Sequence, residues 1–417
     1  MIMTAPHLPV YIGSSALSEL IRFCRDRGAT RFALIADHNT YTALGERAES
    51  ALRDQGWDVL PILLEGADVI ADARYVFQVM LALDRTPRTF LAVGSGTITD
   101  ITRFVSHRTG ADFISLPTAA SVDGFTSIGA PMVIDGAKIT VNAQGPLAVF
   151  ADLPTLCAAP QQLVAAGFGD LLAKLTSTAD WELGRLLWGE PYDAEIARRS
   201  RAAAWAGAER ADAVAARSEE GVRTLFDGLI ESGFCMLDFG ETRPASGCEH
   251  HISHFWEMKL LRESRHSVLH GAKVGIAVLI SARRYEAVRG MSRAEAAARL
   301  ASLPMFDREE QVRIIRSAFG AIADQVVTIQ APFLDQSPAA FEQLKARIVA
   351  TWDEIQRIAA TVPTVAEMEG WLRRAGGPVT GIEVGLDDEE IAQGSQQGHW
   401  YRNRFTVGKL SWMLGID

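Results

Sequence analysis

"TFLAVGSGTITDITRF", residues 89–104, is a run of strand-forming apolar residues that stops at two glycines and turns at once into a helical pattern. That combination is the opening half of a strand–helix–strand unit. Reading outward, three further runs have the same character: "RFALIAD" (31–37), "WDVLPILLEG" (57–66) and "DFISLPTA" (112–119), with the helical stretch "ARYVFQVMLALDR" among them. Strands recurring at this pitch with helices between them predict a parallel, Rossmann-like sheet with crossover helices. From about Pro160 the period changes. "PQQLVAAGFGDLLAKLTSTADWELGRLLW", "DAEIARRSRAAAWAGAERADAVAARS" and "MSRAEAAARLASL" repeat their apolar residues at the helical spacing. The expected fold is an α/β N-terminal domain over residues 1–157 and an all-α helical domain over 158–417, joined near "VFADLPTLCAAP", where a last short strand meets a Pro-bounded turn. Ligands of such folds are expected in the cleft between domains, at the carboxyl ends of the strands.

Composition narrows the function classes. The 417 residues are 48% hydrophobic and 22% charged, enough for a large core. A net charge of −10 argues against nucleic acid as the main partner, because phosphate backbones need concentrated Lys and Arg. An anionic small substrate would need a local cationic pocket. The start, "MIMTAPHLPVYIG", lacks the charged and long apolar regions of a signal peptide, and apolar runs such as "VGIAVLI" fall well short of the ~20 residues that span a bilayer. Cys24, Cys157, Cys235 and Cys248 are scattered and form no CxxC pair, so reduced thiols and a cytoplasmic location are expected. The expected partners are small molecules, with no nucleic acid and no membrane span, in a homo-oligomer.

Gly94 and Gly96 at the strand end let backbone approach a diphosphate, and the helix behind offers N–H groups and the positive end of its dipole. Thr99 stands where the third glycine of GxGxxG would be, so the standard fingerprint is incomplete, and a bare strand-to-helix turn would use glycine as well. Asp37, ending the first clear strand, could accept from a ribose or equally cap a turn. The next strand-end loop, "SLPTAASVDGFTS" (115–127), carries Thr118, Ser121 and Ser127 as donors, and Asp123 as a short acid facing the same crevice. Two such loops at successive strand ends favour a nucleotide cofactor over capped turns.

The second constellation is histidine-based. In "GCEHHISHFW" (247–256), His250 and His254 are spaced i,i+4 and share a helix face, whereas His251 points roughly 100° away. Asp170, in "AAGFGDLLAKL", is the best third ligand. Gly167 and Gly169 each cost about 1 kcal/mol in that helix, which makes sense if something approaches the backbone closely there. His270, opening "HGAKVGIA", is a fourth candidate, and His266 is a weaker rival in a polar setting. An Asp and two His would hold a divalent ion with one position open, leaving the remaining histidine to a substrate donor or proton relay. Satisfied or exposed histidines without a metal are the plainer reading.

The series "GSGTITD", "PTAASVDGFTS", "AAGFGDLLAKLTSTADW", "SGCEHHISH" and "HGAKVGIA", with "WYRNRFTVGKLSWMLG" near the C-terminus, resembles the sn-glycerol-1-phosphate dehydrogenases and their bacterial AraM-like branch. These belong to the group of iron-containing alcohol dehydrogenases, glycerol dehydrogenases and dehydroquinate synthase-like proteins. The resemblance implies that Asp170, His250 and His270 bind zinc or nickel, and that His254 touches substrate. It implies that Asp123 contacts substrate beside the nicotinamide. Gly96, Thr97, Asp100, Thr118, Ser121 and Ser127 would meet NAD(P), beside the Gly94 turn, with Asp37 on the adenosine ribose. "GSG" stands where three consecutive glycines are common.

The expected activity is metal-dependent, NAD(P)-linked interconversion of dihydroxyacetone phosphate and sn-glycerol 1-phosphate, a step of phospholipid metabolism. Asp123, Asp170 and His254 are the expected catalytic set. Lys174, Lys138 and His254 are candidates for the phosphate, and Asp37 favours NAD over NADP, since a carboxylate repels a 2′-phosphate. Alternatives are a glycerol or other polyol dehydrogenase; a dehydroquinate-synthase-like cyclase, against which the scarcity of cations near these motifs counts; and a non-catalytic relative.

Overall fold

Strand β3 (Arg31–Asp37) is buried on both faces, the signature of a parallel strand covered by helices on either side. Phe32, Leu34 and Ala36 enter one apolar core with Leu91, Val93, Ile114 and Leu116. Ala33 and Ile35 enter the other with Phe90, Ala92 and Phe113. The computed structural model describes residues 2–5, 8–66, 68–134 and 137–416.

The remaining strands are β1 (Ile2–Ala5), β2 (Leu8–Gly13), β4 (Asp58–Leu64), β5 (Thr89–Gly94), β6 (Phe113–Pro117), β7 (Gly129–Ile134), β8 (Ala137–Asn142) and β9 (Val149–Asp152). Seven of them form one sheet in the order β1-β2-β9-β6-β5-β3-β4. All neighbours pair in parallel except β1, which runs antiparallel to β2 at the edge. From β3 the chain steps to β4 on one side, then crosses to β5 on the other. The sheet therefore has a topological switch point between β3 and β5, the place where parallel sheets open a crevice at their carboxyl ends.

The four strands expected from 31–37, 57–66, 89–96 and 112–119 are β3, β4, β5 and β6. The sequence reading did not find the antiparallel hairpin β7–β8 or the edge pair β1–β2. Nor is the helical stretch from Pro160 to Trp188 continuous: it breaks at Ala173 into Gln161–Leu172 and Lys174–Trp188.

The chain divides into two compact units, Met1–Gly167 with Asp212–Leu237, and Phe168–Ala211 with Asp238–Asp417. The first unit runs past residue 157 and takes in most of the helix Glu219–Phe239. That segment is held by Phe226 against Phe125 (ring centroids 5.5 Å apart), Ser232 donating to Asp123 Oδ2 (2.9 Å) and Arg223 donating to the Ile12 carbonyl (2.8 Å). The second unit is entirely helical among its described elements. Among the described residues, no helix is long and apolar enough to cross a membrane.

Candidate metal and cofactor sites

In the second unit, three helices deliver the histidine constellation. His250 and His254 lie on Cys248–Arg262, His270 opens His270–Gly290, and Asp170 lies on Gln161–Leu172. The glycines flagged in sequence explain the convergence. A Cβ on Gly169 would run into the Gly271 carbonyl and the Gly275 backbone, so the Asp170 helix and the His270 helix meet backbone to backbone. In the first unit, Gly167 does the same for the Ala120 carbonyl. The close approach is made by the chain itself.

Asp170, His250 and His270 each offer one donor atom within 4.8 Å of the others. His250 Nε2 lies 3.5 Å from Asp170 Oδ1. The outer shell is built as well: Glu249 Oε1 lies 2.8 Å from His250 Nδ1, fixing the ring so that Nε2 faces Asp170. Glu249 is itself held by Gly247 N–H (2.7 Å) and the Thr176 hydroxyl (2.7 Å). Burial alone would raise the Asp170 pKa, but the Lys174 charge, the His250 contact and His270 outweigh it and keep the carboxylate ionised. Two imidazoles and a carboxylate in a buried pocket are a donor set that suits a borderline divalent ion such as zinc.

His254 stands beside this set, its ring 5.5 Å from His270 and 6.2 Å from His250. Its Nδ1 meets Glu257 Oε2 at 3.1 Å, and Glu257 also takes Lys273 Nζ at 3.3 Å. His254, Glu257 and His270 form a second, overlapping donor group. The Asp170 set is the more buried of the two and is the one with a carboxylate bracing its histidine from behind. His251 is outside both sets, as its position on the helix predicts, and His266 is not drawn in either.

Lys174 is not a phosphate cation. Its ammonium is fully buried and donates to Asp170 Oδ1 (3.0 Å) and the Ala245 carbonyl (3.2 Å), so its charge is spent on holding the ligand carboxylate. Lys138 lies on β8 in the first unit, where its charge acts on Asp100. Glu249 and Glu257 were missed in the sequence; lying next to His250 and three residues after His254, they are the signal that could have found them.

In the first unit, Asp37, Gly94 and Thr118 sit at the carboxyl ends of the adjacent strands β3, β5 and β6, so the nucleotide candidates share one edge of the sheet at its switch point. Thr118 N–H donates to the Gly94 carbonyl at 3.3 Å, tying the two loops together. Helix Gly96–Thr109 starts at Ser95 without a side-chain cap, so no side chain caps its first-turn N–H groups, Thr97's among them. Ser121 is buried, and Ser127 donates to the Gly129 carbonyl at 3.2 Å.

Two of the nucleotide candidates also hold the protein's own backbone or side chains. Asp37 caps the short turn after β3, accepting from Thr40 N–H at 2.8 Å, so one of its oxygens is committed to the capping role weighed against the ribose. Asp100 accepts from Arg103 at 2.7 Å, and burial pushes its pKa up to about 6 against the pull of Arg103 and Lys138. Arg103 is itself fully buried and donates to the carbonyls of Gly124 (2.6 Å), Phe125 (3.3 Å) and Gly129 (2.9 Å), fastening the loop that carries Asp123.

The family model described as iron-containing alcohol dehydrogenase matches residues 11–160. Over 403 residues the chain is 35% identical to a glycerol-1-phosphate dehydrogenase (NAD(P)+) of Geobacillus thermodenitrificans, covering 95% of this chain and 90% of that protein. A Bacillus subtilis protein of the same name is 35% identical over 400 residues, with 95% and 89% covered. Among solved structures, NADH-dependent butanol dehydrogenase A of Thermotoga maritima superposes with a TM-score of 0.62 at 11% identity, covering 98% of this chain and 92% of that one, a likeness of fold alone.

Proposed function

The chain belongs to the glycerol-1-phosphate dehydrogenase family, and from that premise we propose that it interconverts dihydroxyacetone phosphate and sn-glycerol 1-phosphate at the expense of NAD(P)H or NAD(P)+. The observation that carries this reading is the meeting of Asp170, His250 and His270 donors in one buried pocket with Glu249 behind them.

Those three residues would hold a divalent ion, zinc or nickel, whose contribution is Lewis-acid polarisation of the substrate carbonyl. Gly94, Gly96, Thr97, Asp100, Thr118, Ser121 and Ser127, along the switch-point edge, would hold the nucleotide, which would supply the hydride. Asp37 keeps a carboxylate at the end of β3, which favours an unphosphorylated ribose and hence NAD.

The chain's own groups do the rest. Lys174 keeps Asp170 anionic, and Glu249 holds the His250 ring in one tautomer. His254, braced at Nδ1 by Glu257, carries the proton exchanged with the substrate oxygen. In the first unit, Ser232 donates to Asp123 Oδ2 and holds that carboxylate in place on its loop.

The test is a substrate panel. Metal-loaded protein is mixed with NADH or NADPH and either dihydroxyacetone phosphate or dihydroxyacetone, and loss of reduced-nicotinamide absorbance is followed. Preferential turnover of the phosphorylated ketone is expected. Turnover of dihydroxyacetone alone would instead make the protein a glycerol dehydrogenase.

A further inference from the structure

A three-carbon phosphoester is short, so its phosphate must be gripped within a side chain's reach of the His250–His254–His270 pocket. The lysines nearest that pocket are spent: Lys174 on Asp170, and Lys273 on Glu257 and the Val268 carbonyl. The C-terminal segment supplies what they do not. Tyr401 places its ring 5.1 Å from the His254 ring and 6.4 Å from the His251 ring. The next residues bring Arg402, whose guanidinium lies 5.7 Å from the Tyr401 ring centre, and Arg404.

Both arginines are half-buried, and both converge on Thr242: Arg402 donates to its hydroxyl at 2.9 Å and Arg404 at 2.8 Å, with Arg404 also donating to the Ser246 carbonyl at 2.6 Å. Among the described residues neither has a carboxylate partner. The acids in the neighbourhood, Glu190 and Glu241, are paired with Arg243 at 3.2 and 2.7 Å. Of five N–H donors on each guanidinium, most remain uncommitted. Two like charges held together and partly desolvated are costly unless an anion joins them. Burial, Arg402 and Arg243 already press the Arg404 pKa down to about 9.

A second, independent observation points the same way. The His251 ring is wholly buried, yet among the described residues neither of its nitrogens has a hydrogen-bond partner. An imidazole has a ring N–H to give, and this one is given to no other group among the described residues. The Ser246 hydroxyl, also buried, lacks a partner among the described residues too. Buried donors without a partner among the described residues, beside two guanidiniums without a carboxylate, describe a place made for an oxyanion.

We propose that Arg402 and Arg404, with His251 at their inner side, form the subsite that binds the substrate's phosphate and so discriminates dihydroxyacetone phosphate from dihydroxyacetone. This rests on the dehydrogenase reading above and names the specificity-determining residues within it. Guanidiniums suit the task because their fork of donors matches phosphate oxygens two at a time.

The experiment compares wild type with R402M, R404M and the conservative R404K. One arm measures kcat/KM for both ketones; the other titrates inorganic phosphate into the metal-loaded protein calorimetrically. In the methionine variants the ratio of kcat/KM values, phosphorylated over unphosphorylated, is expected to fall about 10–100-fold, with phosphate binding weakened to match. R404K, which keeps the charge but loses the fork, falls between. If wild type reduces dihydroxyacetone phosphate but the ratio is unchanged in both methionine variants, the subsite is elsewhere and the proposal fails. If wild type does not reduce that substrate, the dehydrogenase reading fails first, and the phosphate titration still decides the subsite: heat of binding lost in the variants supports it, and equal heat in all proteins overturns it.

Discussion

Replacing Glu249 by Gln probes whether the Asp170 set holds the ion. The carboxylate is fully buried, and its Oε1 sits 2.8 Å from His250 Nδ1. Glutamine has the same shape. Its carbonyl can still accept from Gly247 N–H, and the Thr176 hydroxyl can rotate to accept from the amide, so the start of the helix keeps its bonds. What is lost is the negative charge that fixes the imidazole and raises its basicity. Losing a carboxylate behind a ligating histidine costs about 10–100-fold in metal affinity, or about 1.4–2.7 kcal/mol. Glu249 is fully buried, so salt screens the difference little. Stripped wild-type and E249Q proteins should be titrated with zinc against a chromophoric competitor, with thermal unfolding of the metal-free forms as the folding control. An E249Q affinity within about twofold of wild type would refute the assignment. An equal loss in E257Q alone would move the ion to the His254–Glu257–His270 group.

Three further outcomes are expected. Dialysis against a strong chelator should abolish NAD(P)H oxidation and re-addition of zinc or nickel restore it; full activity in demonstrably metal-free protein would contradict the mechanism. G169A should cost about 1–3 kcal/mol by forcing the Asp170 helix off the Gly271 carbonyl, whereas G290A, in open space at the end of the His270 helix, should leave the melting temperature unchanged or raise it. R103M should cost about 3–5 kcal/mol, since it strands Asp100 and unfastens the loop carrying Asp123; urea unfolding measures it, and a change within about 0.5 kcal/mol would show the loop to be held otherwise.

The fold was legible wherever one segment carried its own signal. β3 coincides with the run read from the sequence because a strand buried on both faces is apolar throughout. β7 and β8 are separated in sequence by Asp135-Gly136, a hairpin signal that lies outside the strand–helix–strand pattern. The donor candidates were legible because His250 and His254 share a helical spacing and Gly169 marks a close approach beside Asp170, whereas the choice of Asp170, His250 and His270 among them came from the family resemblance. Arg103, Arg402 and Arg404 were not, since their roles exist only through partners the sequence does not place beside them: Arg404 meets a carbonyl 158 positions away. Lys174 shows the converse. Its spacing from Asp170 was plain, but the same closeness that made it a phosphate candidate spends its charge on the carboxylate.

The backbone contact between Gly169 and Gly271 also bears on how the protein matures. Asp170, His250 and His270 belong to three separate helices, so a nascent or unfolded chain has no preformed chelate, and an ion held by them would be captured only once those helices have docked. Cation supply then acts by mass action on the native state alone: protein made in metal-depleted medium should reach the same fold but resist heat and proteolysis less well, and should regain both on loading without being unfolded first.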